Sequence, residues 1–236
     1  GKDSVYIWEN DETMMHENDA AEVLYRMTAN EHMHPSDVKE GKIEVIADTE
    51  GLLKVDREKL KKVNAFGEMM IATRHGNTVV KKGDKLAGTR IIPLVIKKDK
   101  MQEAEKICDG TPILKILPFT VKKAAIITTG NEVYHGRIAD TFTPVIREKL
   151  AEYDTEVIFH ETFDDDNEKI TDGCLAAIEA GADLVICTGG MSVDPDDKTP
   201  LAIKNTGAEI ISYGAPVLPG AMFLLSYYKE SIPILG

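Results

Sequence analysis

The stretch Ala182-Asp-Leu-Val-Ile-Cys-Thr-Gly-Gly-Met-Ser-Val-Asp-Pro-Asp-Asp-Lys-Thr-Pro200 decides the fold. Asp183 to Cys187, with Leu184, Val185 and Ile186 at the centre, reads as a buried strand. It breaks at Gly189-Gly190, carries Asp194, Asp196 and Asp197 close together, and shows a helix start at Thr199-Pro200. A strand ending in Gly-Gly exposes backbone N–H groups at the carboxyl edge of a sheet, where open α/β folds bind ligands. Glycines let that backbone approach an anion closely. The plain alternative is an acidic, solvated strand-to-helix loop.

The same rhythm recurs on either side. Ala124 to Ile127 is an apolar strand ending in Thr-Thr-Gly-Asn-Glu (128–132), and a helix is expected from Thr143-Pro144, with threonine as cap and proline first. A strand Glu156–Phe159 runs out into Asp164-Asp165-Asp166. Asp165 with Glu168 fits a capping box for a helix Asn167–Ala180, whose Ile170, Cys174, Ala177 and Ile178 share a face. Beyond the opening stretch come a short helix 200–206, a strand Glu209–Ser212, a Pro-Val-Leu-Pro-Gly loop and strands Met222–Ser226 and Ile232–Leu235. Strands alternating with helices imply a three-layer α/β/α domain over 121–236, with a mainly parallel sheet covered on both faces. Right-handed crossovers then put every strand-to-helix loop on one edge.

Residues 1–120 read as a smaller α+β or β-rich domain. Its expected elements are a strand Val5–Trp8, a helix Glu17–Ala29 burying Ala20, Ala21, Leu24 and Met27, and a strand Lys42–Ala47. Asp56 would cap a helix through Val63. Glu68–Thr73 and Asn77–Val80 flank His75-Gly76-Asn77 as a hairpin, and Arg90–Ile96 reads as one long apolar strand. A helix Asp99–Cys108 stops at Gly110, and a strand Pro112–Phe119 leads to the seam at Pro118. His16, His32 and His34 fit solvated loops better than a metal set, and the lysines at 81, 82, 97 and 98 fit edge protection better than phosphate binding.

Composition narrows the function. The net charge is −12, and residues from 121 onward hold 19 acids against nine bases, −10 of that total. Such a domain is a poor partner for nucleic acid, whose binding rests on Lys and Arg. The longest apolar run, Ile91–Ile96, is interrupted by Pro93 and is far too short to span a bilayer. Three widely spaced cysteines (Cys108, Cys174, Cys187) form no CxxC and fit a reducing cytoplasm. No signal-peptide pattern is present, and the missing initial Met is consistent with an excised fragment.

Thr128–Glu132, Asp164–Asp166 and Gly189–Asp197 each follow a parallel strand, so the topology brings them to one rim. Carboxylates repel a phosphate and glycine-cradled N–H groups attract one. A divalent cation such as Mg²⁺, bound by one or two carboxylates and bridging to ligand phosphate, reconciles the two. No Ser, Cys or His nucleophile arrangement is evident, and Cys187 reads as core.

Thr-Thr-Gly-Asn-Glu-Val (128–133), Gly-Arg-Ile-Ala-Asp (136–140), Asp165-Asp166, Thr-Gly-Gly-Met-Ser-Val (188–193), Asp197 and Pro219-Gly220 follow the motif order of the molybdopterin-binding domain family. The chain resembles most its molybdopterin molybdotransferase branch, well over 121–236 and loosely over 1–120. The resemblance implies a cytoplasmic protein of molybdenum cofactor biosynthesis that binds molybdopterin on the carboxyl rim. It also implies magnesium-assisted insertion of molybdate into the adenylylated pterin dithiolene, with release of AMP. On the matching positions, Glu132, Asp165, Asp166 and Asp197 would serve catalysis, Asp165 and Asp197 as metal ligands. Thr129, Gly130, Asn131, Asp140, Gly189, Gly190, Met191, Ser192, Pro219 and Gly220 would hold the pterin. Its partners would be that pterin, a second copy of the chain, or other cofactor-biosynthesis or molybdoenzyme proteins.

Two departures stand against it. Val217-Leu218 occupies the segment where the family places a lysine, and the sequence reaches Gly236 where the family continues into a Gly-Leu-Pro-Gly-like loop. Two rivals are a non-catalytic pterin carrier, favoured by the missing lysine, and a competence-damage-type domain acting on pyridine nucleotides.

Overall fold

The structure, a computed structural model, describes residues 11–192 and 197–236. The expected strand Val5–Trp8, together with Asp194 and Asp196, lies outside the described residues. The chain forms two compact units, Gly1–Phe119 and Thr120–Gly236.

The first unit is α+β with antiparallel pairing throughout its described strands. In chain order it holds β1 (Met14–His16), α1 (Glu17–Thr28), β2 (Met33–Pro35), β3 (Lys42–Ala47), β4 (Gly51–Val55) and α2 (Arg57–Asn64). Then follow β5 (Met69–Thr73), β6 (Thr78–Val80), β7 (Lys85–Ile91), β8 (Val95–Lys97), α3 (Lys98–Cys108) and β9 (Leu114–Pro118). Strand orders are β2-β3-β7-β5, β6-β4-β9 and β1-β8. α1 buries Ala20, Ala21, Leu24 and Met27 as its periodicity requires, and Val23 with them. Asp56 caps α2 by accepting from the Lys59 N–H at 3.0 Å.

Two sequence expectations fail here. The strands flanking His75–Asn77 do not form a hairpin. β5 pairs with β7 from Met69↔Ile91 to Thr73↔Ala87, and β6 pairs with β4. A hairpin could use only the three residues of β6, whereas β7 offers β5 a longer ladder. Asn77 instead donates its N–H to the Leu53 carbonyl at 2.7 Å, turning the chain toward β4. Nor is Arg90–Ile96 one strand. Pro93 has no N–H to give to a ladder, so β7 ends at Ile91 and β8 restarts at Val95 to pair with β1. Of the histidines, His34 pairs with Asp48 at 2.6 Å, and no group of three metal-binding side chains exists among the described residues.

The second unit is an α/β domain. Its elements are β10 (Lys123–Thr129), α4 (Asn131–Tyr134), α5 (Phe142–Ala151), β11 (Glu156–Phe163), α6 (Asn167–Glu179) and β12 (Leu184–Thr188). They continue with α7 (Thr199–Asn205), β13 (Glu209–Tyr213), β14 (Leu224–Tyr228) and β15 (Ile232–Leu235). The sheet order is β11-β10-β12-β15-β14-β13. β10, β11, β12 and β15 run parallel, while β14 is antiparallel to both its neighbours. β13 therefore points the same way as β10–β12, and the sheet is mainly parallel, as expected.

Helices α6 and α7 cover one face. Ile170, Cys174, Ala177, Ala202 and Ile203 pack there with Ala125, Ile127, Val185 and Cys187. α5 lies on the other, where its Thr143 meets Thr128, whose side chain alternates with that of Ile127. Cys187 is core: its thiol shares a 3.6 Å contact with Cys174, and that contact plus burial raises its pKa far from nucleophile range. β14 begins two residues later than expected, because Phe223 closes a turn onto the Gly220 carbonyl.

Candidate functional site

The strand directions gather one rim. β10, β11, β12, β13 and β15 all end there, so Gly130–Glu132, Asp164–Asp166, Gly189–Ser192, Gly214–Phe223 and Gly236 share an edge. β11 and β12 lie on opposite sides of β10, which makes the gap between β10 and β12 the topological switch point.

The Gly-Gly turn is locked at that point. An added Cβ on Gly189 would stand 2.1 Å from the Thr129 carbonyl oxygen, with φ already at +92°. On Gly190 (φ +55°) it would meet the Thr199 hydroxyl at 2.7 Å. Thr199 donates its hydroxyl to the Gly189 carbonyl at 2.9 Å and its N–H to the Gly190 carbonyl at 3.3 Å. Thr129 and Thr199 share a further contact at 2.9 Å between hydroxyl oxygens, both buried. Gly190→Val would therefore damage this turn before it tested any ligand. The Tyr213 hydroxyl donates to the Met191 carbonyl at 3.0 Å, fastening the loop from the end of β13.

The acidic loop after β11 divides its labour differently from the sequence expectation. Asp166, not Asp165, caps α6: its Oδ1 accepts from the N–H groups of Glu168 at 2.9 Å and Lys169 at 3.2 Å. α6 begins at Asn167, so Asp166 falls one residue before it and Asp165 is a residue too early to reach those donors. Asp165 instead accepts the Asn131 N–H through Oδ2 at 3.0 Å, while the Asn131 side-chain oxygen faces the Asp165 N–H at 3.5 Å. That reciprocal clip joins the loops after β10 and β11. Asp164 binds Lys169 through Oδ2 at 2.7 Å, while its Oδ1 is buried with no hydrogen-bond partner. Asp166→Ala should lower the unfolding free energy by ~1 kcal/mol and Asp166→Asn by only a few tenths, checked by urea denaturation.

Asp140 supplies the side-chain hydrogen bonds that cap α5, since the helix's N-cap residue Thr141 makes none. Its Oδ1 accepts from Phe142 N–H at 2.9 Å and Thr143 N–H at 3.0 Å, and its Oδ2 accepts from the Thr128 hydroxyl at 3.3 Å. The helix thus starts earlier than expected, at Phe142, with Pro144 inside its first turn, where amides lack intrahelical partners. Burial alone would raise the Asp140 carboxyl, but the Thr143 hydroxyl and amide, the Phe142 amide and the Thr128 hydroxyl together hold it below the usual carboxylate range. A depressed folded pKa gives stability that is complete above the unfolded value and lost as pH falls through the folded one. Asp140→Asn should therefore flatten the acid side of the melting profile below about pH 4, as measured by circular dichroism from pH 7 to pH 3.

Glu132 sits on α4 and is exposed, as is Ser192, and Asp197 is half-buried ahead of α7. Glu132, Asp165 and Asp197 do not form a three-ligand group among the described residues. Pro219 and Gly220 lie in the β13–β14 loop, where Leu218 is 88% exposed. Sequence reasoning missed His160 and Tyr213, and read Thr143 and Thr199 only as helix starts. His160 Nε2 stands 3.3 Å from both the Thr128 and Thr143 hydroxyls. The available signal was the Thr128-Thr129 pair closing an apolar strand, because buried hydroxyls need partners.

Residues 125–226 match the family model of the probable molybdopterin binding domain. That match spans most of the second unit. The chain is 32% identical over 108 residues to a putative competence-damage inducible protein of Bacillus thuringiensis (strain Al Hakam), a match covering 46% of this chain and 25% of that protein. The chain thus spans about a quarter of the length of the curated relatives it matches. Similar solved structures include CinA of Thermoplasma acidophilum, of unknown function, with 20% identity, a TM-score of 0.44, 49% of this chain and 86% of that one. Another is the molybdopterin biosynthesis enzyme MoaB of Thermus thermophilus, with 25% identity, a TM-score of 0.41, 48% of this chain and 79% of that one. No described helix is long and apolar enough to cross a membrane.

Proposed function

We propose that the rim of the second unit binds molybdopterin and that the protein assists magnesium-dependent insertion of molybdate into the adenylylated pterin, releasing AMP. The observation that carries this reading is the family match over 125–226, the stretch that supplies most of the rim's loops. The donors suit magnesium. Asp164 Oδ1 is a hard oxygen lacking a partner, and Asp165 engages Asn131 through Oδ2. Asp165 and Asp197 would hold the ion, with Glu132 and Asp166 at the edge of the site. A bound magnesium ion would neutralise ligand phosphate beside these carboxylates.

The chain's own contribution is positioning. The Asn131–Asp165 clip holds two loops at a fixed separation, and the Thr129–Thr199 hydroxyl pair holds the third against β10. Thr129, Gly130, Gly189, Gly190, Met191 and Ser192 would face the pterin across the switch point, with Pro219 and Gly220 closing the far side. Asp140 acts through α5, as a positioning residue.

The test is AMP release from molybdopterin-AMP with molybdate and Mg²⁺. Release by the chain, absent without Mg²⁺, supports the reading. Tight pterin binding without AMP release would instead make the protein a carrier, the outcome favoured by Val217-Leu218 where the resemblance places a lysine. A second reading is a competence-damage-type domain, the kind the curated relatives' names give, and for it we propose pyridine nucleotides as ligands. Calorimetry with molybdopterin and with a nicotinamide nucleotide separates the two.

A further inference from the structure

In the first unit, the outer face of the sheet β2-β3-β7-β5 holds a groove of about 430 Å³, within the range of small-molecule sites. Its floor is small and flat. Gly88 on β7 pairs with Glu44 on β3 and with Ala72 on β5, so on the β5 and β7 side of that row the sheet presents almost no side chain, while Glu44 borders it on β3. Met70 adds an apolar wall that is 42% exposed.

Gly88 has no structural reason to be glycine. Its φ lies outside the left-handed region, and an added Cβ would meet only the Lys42 Cε, at an ordinary 3.7 Å. Glycine inside a strand weakens it, and such positions often mark close approach by a ligand.

Its charge is also unusual for a chain at −12. Lys42 and Lys85 both reach Glu44, at 2.9 and 2.7 Å, and hold its carboxyl below the ordinary range, Lys85 foremost. Arg74 is neutralised by Asp84 at 3.0 Å. Arg90 is half-buried and pairs with no carboxylate among the described residues; its Nε donates to the Ile91 carbonyl at 3.3 Å. One carboxylate shared by two ammonium groups, beside an unpaired guanidinium, leaves two positive charges around an apolar floor. The adjoining hollow shares Lys42, Glu44 and Arg90 with this groove and adds Asp37, Glu40 and Lys39, which lowers the local surplus to about one positive charge.

We infer that this groove is a binding site for a small phosphate monoester carrying a planar apolar ring. The ring would lie on Gly88 and Ala72 against Met70, where sulfur contacts with an aromatic edge are favourable. The dianion would take the Arg90 guanidinium, suited to bidentate phosphate binding, and the Lys42 and Lys85 ammonium groups.

Calorimetry on the full chain with phenyl phosphate, inorganic phosphate and phenol as probes tests this. Phenyl phosphate should bind at least about tenfold tighter than either fragment, and less tightly as salt rises. Arg90→Gln should weaken it about tenfold or more. Gly88→Val should abolish binding while melting at or above the wild-type temperature; Ala72→Val fills the groove from β5 should the first variant fail to fold. Asp165→Asn should leave phenyl phosphate binding unchanged, which keeps this site separate from the rim. The inference is overturned by absence of binding to the wild type, by wild-type affinity in both groove-filling variants, or by inorganic phosphate binding as well as the ester. Concentration-dependent self-association abolished by Gly88→Val would assign the face to a second copy of the chain and overturn it too.

Discussion

Gly189→Ala is expected to destabilise the second unit by about 3–5 kcal/mol, enough to unfold a marginal domain. The new Cβ would lie 2.1 Å from the Thr129 carbonyl oxygen and 3.0 Å from its carbon, both backbone atoms. Thr129 cannot retreat, because Thr128 is paired with Thr188 on one side and with Thr162 on the other. A non-glycine residue held at φ +92° adds a conformational cost of about 1–3 kcal/mol, and the forced overpacking costs about as much again. Gly130→Ala is the control. Its φ is +127°, yet nothing lies within 4 Å of the new Cβ, so only the conformational part should appear. Urea unfolding of both variants, followed by circular dichroism, should rank them in that order. A Gly189→Ala protein within about 1 kcal/mol of wild type would show that the turn can swing away from β10, and that the glycine answers to a ligand instead of the fold.

Asp165→Asn is expected to leave the melting temperature unchanged and to reduce AMP release by about 100-fold at limiting Mg²⁺, the scale seen when metal-site interactions are lost. The asparagine side-chain oxygen can still accept the Asn131 N–H that Asp165 Oδ2 accepts at 3.0 Å, so the clip between the loops survives. What disappears is the negative charge. Asp165→Ala removes the charge together with the side-chain half of the clip, and should lose a further ~1 kcal/mol of stability. Titration with Mn²⁺ as a substitute ion gives a readout apart from turnover: the Asn variant should bind it more weakly than wild type. If neither variant alters the metal requirement, Asp165 is only a loop fastener and the metal site rests on Asp197 and Glu132.

The exchange of roles between Asp165 and Asp166 shows where sequence reasoning stops. Either residue can cap a helix, and the three consecutive acids 164–166 offer the same chemistry in three registers. Only the position of Asn167 as the first helical residue selects Asp166. Likewise, Thr143-Pro144 carries the usual signature of a helix start, but Asp140 captures the amides of Phe142 and Thr143 first.

By itself the sequence determined the strand–helix alternation from Lys123 to Leu235, the core face of α6 and the assembly of acid-bearing loops on one rim. These follow from local periodicity and from the right-handedness of crossovers, which need no knowledge of distant contacts. The family resemblance was legible for the same reason, since its motifs sit at strand ends. Tertiary structure decided which β-strand pairs with which in the first unit, because β5 and β6 carry no local signal naming β7 and β4 as partners. It decided that Gly189 passes under the Thr129 carbonyl, a contact across 60 residues. It also decided that Gly88, which looks like an ordinary weak point in a strand, lines a charged groove with Lys42, Lys85 and Arg90. Side-chain identity sets what a residue can do; long-range packing, which fixes distances, selects what it does.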